Sequence, residues 1–226
     1  MIRAVLFDID GTLIQTGGAG VKAFAQVLES EFDLARATEG INFAGRTDTG
    51  ILREIFQQHG LNADAASYER FFATYLIRLQ HMLRKLPGTV LPGVHTFLDR
   101  VEALPNPPVL GLLTGNVRAG AEIKLRHFNL WDRFCLGAFA DDHEDRNGIS
   151  VVALRRCGER LDGVLRGDEV VVIGDTPRDI ECGKAIGART LAVATGHFGI
   201  EELKTHHPDW TVKNLLEISP GQVCGR

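Results

Sequence analysis

No apolar stretch in this 226-residue chain is long enough to span a membrane, which takes about 18 residues or more. Charge of one sign does not accumulate either. The formal net charge is −4, which argues against broad electrostatic binding of nucleic acid or of a membrane surface. Cysteine is scarce, and Cys135, Cys157, Cys182 and Cys224 lack the paired spacing of a zinc site or a redox motif. Thiols so scattered suit a reducing cytoplasm, which is the expected compartment. The first motif begins at Asp8, so no signal peptide is expected ahead of it. Internal repeats and low-complexity segments are also missing. What remains, 44% hydrophobic and 24% charged, is the composition of a globular chain able to bury a substantial core.

Against that plain background stand three short apolar runs, each delivering residues suited to phosphate. Ala4-Val5-Leu6-Phe7 leads into Asp8-Ile9-Asp10-Gly11-Thr12; Val109-Leu110-Gly111-Leu112-Leu113 leads into Thr114-Gly115-Asn116; Val170-Val171-Val172-Ile173 leads into Gly174-Asp175-Thr176-Pro177-Arg178-Asp179. Runs of this length bounded by Gly and polar residues read as strands buried on both faces, as in a parallel sheet. Ligands bind beyond the carboxyl ends of such strands, so the three clusters should meet in one crevice.

The chain divides by pattern. Residues 1–14 give the first strand and its loop. From 15 to 89 only helical spacing is evident: Val21, Phe24, Ala25 and Leu28; Ile51, Leu52, Ile55 and Phe56; Phe72, Tyr75, Leu76, Leu79, Met82 and Leu83. Such stripes are core packing between helices. From Leu91-Pro92-Gly93 onward strands alternate with helices, with helices near Val94–Leu104 and Arg118–His127 and further short strands at Leu136–Phe139 and Thr190–Ala194. The expected fold is therefore α/β, a doubly wound parallel sheet with an inserted α-helical cap. Its core is 1–14 with 90–226, and its cap 15–89.

Asp8 and Asp10 lean to the same face of extended backbone, and Gly11 permits the turn after them. An ionised carboxylate attacks phosphorus to give an aspartyl-phosphate. Its approach to a phosphate dianion is repulsive, so a divalent cation must bridge them. Mg²⁺ suits, with Asp8 and Asp175 as natural side-chain ligands. Asp10 is placed to protonate the leaving alkoxide and later to activate water. Thr114, followed by the amides of Gly115 and Asn116 at a helix start, offers neutral donors to phosphate oxygens. Gly11 and Thr12 are further candidates for phosphate contact. Thr176 can cap the next helix, with Pro177 at its first position and Gly187 past its end.

These motifs resemble the haloacid dehalogenase superfamily, in its phosphoglycolate phosphatase-like branch, along the whole chain. Asp8-Ile9-Asp10-Gly11-Thr12 is similar to its first motif, Thr114 to its second, and Gly174 to Asp179 to its fourth. The resemblance implies a phosphatase acting on a small phosphorylated metabolite, a backbone carbonyl of Asp10 on Mg²⁺, a supporting role for Asp179, and a mobile cap. Related dehalogenases carry an aromatic residue at the place of Asp10, phosphonate hydrolases an alanine and P-type pumps a threonine, so Asp10 argues for phosphomonoester hydrolysis. A sugar-phosphate mutase and a catalytically idle binding protein remain alternatives. Oligomeric state is not legible.

The third motif of such proteins places a cation near the phosphate, and there is no lysine between Lys124 and Lys184. Arg146 is the candidate, with Arg133, Arg155 and Arg156 as competitors; an arginine adds bidentate recognition. The acidic turn Asp141-Asp142-His143-Glu144-Asp145 is expected to steady Arg146 by charge. Gly17-Gly18-Ala19-Gly20 reads as a joint between core and cap, and His197 as a plain loop residue. In the cap, Arg46 is expected to face the far end of the substrate, beside Thr47, while Thr47 or Asp48 caps the following helix.

Overall fold

The three apolar runs become adjacent strands. In the computed structural model, which describes residues 1–225, β1 (Ala4–Phe7) lies between β4 (Val109–Leu113) and β6 (Val170–Gly174), parallel to both. Phe7 is level with Leu112 on one side and Ile173 on the other. The residues just beyond, Asp8, Thr114 and Asp175, therefore emerge at one edge. The six-stranded parallel sheet continues outward to β5 (Leu136–Ala138), and on the other flank to β7 (Arg189–Val193) and β8 (Trp210–Val212). Strand order reverses at β1, where a crevice opens at the carboxyl edge.

Alternation along the strands fills two layers. Val5, Phe7, Leu112, Val171 and Ile173 point to one face, where α4 (Val94–Glu102) and α5 (Arg118–His127) bury Phe97, Leu98, Val101, Ala121 and Leu125. Ala4, Leu6, Leu113, Val170 and Val172 point to the other, covered by α6 (Arg146–Arg160) and α7 (Pro177–Ala185) through Ile149, Ala153, Cys157 and Cys182. Burying both faces explains why these strands are apolar throughout. The short α8 (Ile200–Lys204) and α9 (Pro220–Cys224), like β8, carry too few periodic residues to have been read from sequence.

Between β1 and α4 the chain forms α1 (Ala19–Phe32), α2 (Asp48–Gln58) and α3 (Ala65–Lys85), with a separate apolar cluster among them. The stripes at Ile51–Phe56 and Tyr75–Leu83 supply buried residues to it. In α1 the buried face is Ala23, Phe24, Val27 and Leu28, whereas Val21 is exposed and lines a cavity. Entry to and exit from these helices run through a two-stranded ribbon, β2 (Ile14–Gln15) against β3 (Thr89–Val90). Both expected boundaries, 14/15 and 89/90, fall inside that ribbon. Gly17 and Gly18 follow β2 with φ of 59° and 81°, backbone that residues with a Cβ rarely adopt. Among the described residues no helix is long and apolar enough to cross a membrane.

Candidate active site

Four groups from four elements crowd the carboxyl edge of the sheet. Asp8 follows β1, Asp175 follows β6, Asp179 sits in the first turn of α7, and Arg146 opens α6. All four are buried. Carboxylate oxygens of Asp8, Asp175 and Asp179 lie within 4.8 Å of one another. Arg146 Nη2 stands 2.9 Å from Asp8 Oδ1 and also pairs with Asp179. Asp145 caps α6 by accepting from the Asn147 and Gly148 amides, which fixes where Arg146 begins its reach. The competing arginines lie elsewhere: Arg133 pairs with Asp99 and Glu102, Arg155 with Glu159, and Arg156 with Asp142.

Burial pushes the Asp8 carboxyl up to about 6, against the pull of Arg146. Asp175 is held well above the usual carboxylate range, by burial first and then by the charges of Asp179 and Asp8. Three crowded carboxyl groups facing one guanidinium leave an excess of buried negative charge, which a divalent cation would offset. Their hard oxygens are the donors that Mg²⁺ accepts. Asp179 already has its oxygens committed: Oδ2 accepts from the Thr176 amide at 2.9 Å and hydroxyl at 2.7 Å, and Oδ1 takes Arg146. Asp8 and Asp175 are the side chains left free to hold a metal. Gly11 has φ 85°, and a Cβ there would run into the Asp175 carboxylate; the turn and the acid require that glycine.

Asp10 takes the other side. Its carboxylate is 42% exposed and borders a cavity of about 370 Å³ shared by the sheet edge and α1–α3. Asn116 Nδ2 donates to Asp10 Oδ2 at 2.9 Å and to Thr114 Oγ1 at 2.8 Å. Lys124, from α5, donates from Nζ to Asp10 Oδ2 and to Asn116 Oδ1, each at 2.6 Å. Lysine is seldom this buried, at 4% exposed. Lys124 escapes a sequence reading because lysine on a helix usually snorkels to water. Its one signal is position, on the face that otherwise buries Gly120, Ala121 and Leu125.

Several expected contacts are differently made. Thr12, expected to touch phosphate, spends its only hydroxyl proton on Asp175 Oδ1 at 3.0 Å and does not line the cavity. The Gly115 carbonyl accepts from the Asp48 amide at 2.7 Å, so Gly115 joins core to cap helices as well as bordering the cavity. Arg46 lines the cavity, but its guanidinium turns away to pair with Glu54. Thr47 is the N-cap of α2: its hydroxyl accepts from the Gly50 amide at 3.1 Å and donates to the Glu144 carbonyl at 2.8 Å. Its only proton is therefore not left for substrate, and Thr47 lies off the cavity wall. None of the acids of the 141–145 turn forms an ion pair with Arg146. Asp142 pairs with Arg156, Glu144 with Arg53, and Asp145 caps its helix. His197, read as a plain loop residue, borders the cavity.

Asp48 couples the helices to the core through both of its polar ends. Its amide reaches the Gly115 carbonyl, and its Oδ2 accepts from the Val117 amide at 2.9 Å. The residue keeps a partial opening to the cavity, yet enclosure of the carboxyl pushes it up to about 6, only partly offset by Lys124 and the Val117 amide. Between about pH 4 and pH 6 the folded protein holds a proton that the unfolded chain has lost, so this group lowers stability as pH rises through that window. Asp48→Asn carries no such proton and keeps an acceptor for Val117. Relative to the natural protein, its stability should rise by up to about 3 kcal/mol across the window and then level off. Denaturant melts at several pH values measure this; a pH-independent difference would contradict it.

A family model of haloacid dehalogenase-like hydrolases matches residues 5–193. Among curated relatives, the pyrophosphatase PpaX of Oceanobacillus iheyensis is 26% identical, with 96% of this chain and 95% of that one covered. The phosphoglycolate phosphatase of Chromobacterium violaceum is likewise 26% identical, over 96% and 95%. Among solved structures, CbbY from Rhodobacter sphaeroides in complex with phosphate superposes with a TM-score of 0.76 at 18% identity, covering 96% of each chain. The β-phosphoglucomutase of Clostridium difficile gives 0.75 at 17%, over 99% and 96%. At those identities the superpositions speak for the fold. With three acids and an arginine gathered at the switch point of a doubly wound sheet, and the family's model matching most of its length, this chain belongs to the haloacid dehalogenase-like hydrolases.

Proposed function

We propose that this hydrolase is a magnesium-dependent phosphomonoester phosphatase that works on a small phosphorylated metabolite through an aspartyl-phosphate on Asp8. One observation carries the reading: Asp8, backed by Arg146 at 2.9 Å, faces the same cavity as Asp10, so nucleophile and proton donor flank one space. The phosphatase names of full-length relatives agree with it.

Asp8 and Asp175 would hold Mg²⁺ together with the Asp10 backbone carbonyl, and the metal would screen nucleophile from phosphate and draw charge from the phosphoryl oxygens. Asp8 attacks phosphorus, forming an O–P bond as the bond to the leaving oxygen breaks. Asp10 gives that oxygen its proton. Asp10 then takes a proton from water as the water oxygen attacks phosphorus, which frees Asp8 and releases inorganic phosphate. Arg146 balances the charge on Asp8 and, through a buried Nε that has no partner among the described residues, keeps a donor available for a phosphoryl oxygen. Thr114 and Asn116 line the same space, and Asp179 and Thr12 hold Arg146 and Asp175 in position.

Inorganic phosphate release tests the reading. Activity on a panel of phosphorylated metabolites should need Mg²⁺, disappear in excess chelator and return on adding the metal. Ca²⁺ should inhibit, because its larger and looser shell misplaces nucleophile and phosphate. Full activity in chelator, or isomerised product without stoichiometric phosphate, would overturn the reading.

A further inference from the structure

Two donors in the cavity wall are left over by the phosphoryl chemistry. The Lys124 ammonium has three protons, and its partners among the described residues are Asp10 and Asn116. Tyr75, from α3, is 1% exposed and lines the cavity, yet its hydroxyl makes no hydrogen bond among the described residues, where a buried tyrosine usually finds a partner. Burial, then the charges of Asp48 and Asp10, hold its phenol well above the usual range, so the hydroxyl stays a donor. Lys124 Nζ and Tyr75 Oη converge beside Gly20 of α1: a Cβ at that position would stand 3.5 Å from the first and 3.6 Å from the second. Any larger residue at 20 would occupy the point on which they converge.

That point adjoins Asp10, which touches Lys124 directly. The proton donor must sit next to the leaving oxygen, so whatever is attached to that oxygen extends toward Lys124 and Tyr75. Phe24, Phe43, Val21 and Ile51 line the same cavity, an apolar lining that strengthens charge recognition. The competing carboxylate, Asp48, is turned to the Val117 amide.

We propose that Lys124 Nζ and Tyr75 Oη form a leaving-group subsite for an oxyanion, so that preferred substrates release a leaving group that itself carries a carboxylate or a phosphate. The proposal rests on the phosphatase reading above and adds to it the two residues that choose the leaving group. Lys124 also positions Asp10, whereas the Tyr75 ring packs in the helical cluster and its hydroxyl serves the subsite alone.

Kinetics on matched substrates separate these roles. 2-Phosphoglycolate and pyrophosphate supply the carboxylate and phosphate arms, ethyl phosphate the uncharged control, and p-nitrophenyl phosphate a probe of the core chemistry. The natural protein should favour at least one charged substrate over ethyl phosphate in kcat/KM. Tyr75→Phe keeps the packed ring and should lower kcat/KM for that substrate about 5-fold more than for ethyl phosphate, mainly through KM. Lys124→Met should slow every substrate, but the charged one at least about 10-fold further. The arm with the larger differential identifies the anion, and equal differentials assign the subsite to either. A charged-to-uncharged ratio unchanged in both variants, or a natural preference for ethyl phosphate, overturns the subsite while p-nitrophenyl phosphate turnover with Mg²⁺ persists. Absence of that turnover in the natural protein overturns the phosphatase reading and the subsite with it.

Discussion

Asp8→Asn is expected to lower kcat by at least about 10⁴-fold with every phosphate ester, because the amide retains the shape of the side chain but has no charge with which to attack phosphorus. The fold should survive. Arg146 keeps its pairing with Asp179, and the substitution removes one of three crowded buried carboxyl groups, a change that costs little or stabilises. Phosphate release and a thermal melt, measured on the same preparation, check both halves. Retention of more than about one per cent of kcat would remove Asp8 from the chemistry. Loss of the folded state would leave the residue a structural one.

The second large effect separates the two carboxylates. Asp10→Asn is expected to slow hydrolysis of an alkyl phosphate by about 10²–10⁴-fold, the range for losing a general acid. The loss should be much smaller for formation of the phosphoryl enzyme from p-nitrophenyl phosphate, whose phenolate leaves with little need of a proton. Asn116 and Lys124 still hold an oxygen acceptor at that position, so the side chain should stay in place. Equal losses for the two leaving groups would make Asp10 a structural or metal-holding residue and nothing more.

What the sequence disclosed, and what it did not, follows from the range of each signal. Asp8, Thr114 and Asp175 were legible because each sits directly past a fully buried strand, and parallel register brings such ends together without any knowledge of side-chain direction. Arg146 was legible through its place between β5 and α6. Lys124, Tyr75 and Asp48 were not, because each also fits an ordinary helical role: a solvated lysine, a core aromatic, an acid in a first turn. Only the packing of α1–α3 on α5 shows that all three border one cavity. Arg46 and Thr47 present the opposite case. Their positions in the loop before α2 are as expected, but Glu54, in the second turn of α2, and the α2 cap take up the polar groups assigned to substrate. Whether a polar side chain meets ligand or neighbour depends on rotamer and local partners, which periodicity does not encode.

The central claim is the covalent intermediate on Asp8, and Asp10→Asn gives the best chance of seeing it. With p-nitrophenyl phosphate and Mg²⁺, this variant should still form the phosphoryl enzyme while its hydrolysis, deprived of the base, lags behind. Rapid mixing should then show a burst of p-nitrophenolate approaching one equivalent per active site. Acid quenching and peptide mass spectrometry should find the phosphoryl group on the peptide containing Asp8, and Asp8→Asn in the same background should abolish both signals. A burst with the phosphoryl group on another residue, or turnover without burst or label that continues when Asp8 is replaced, would contradict the account.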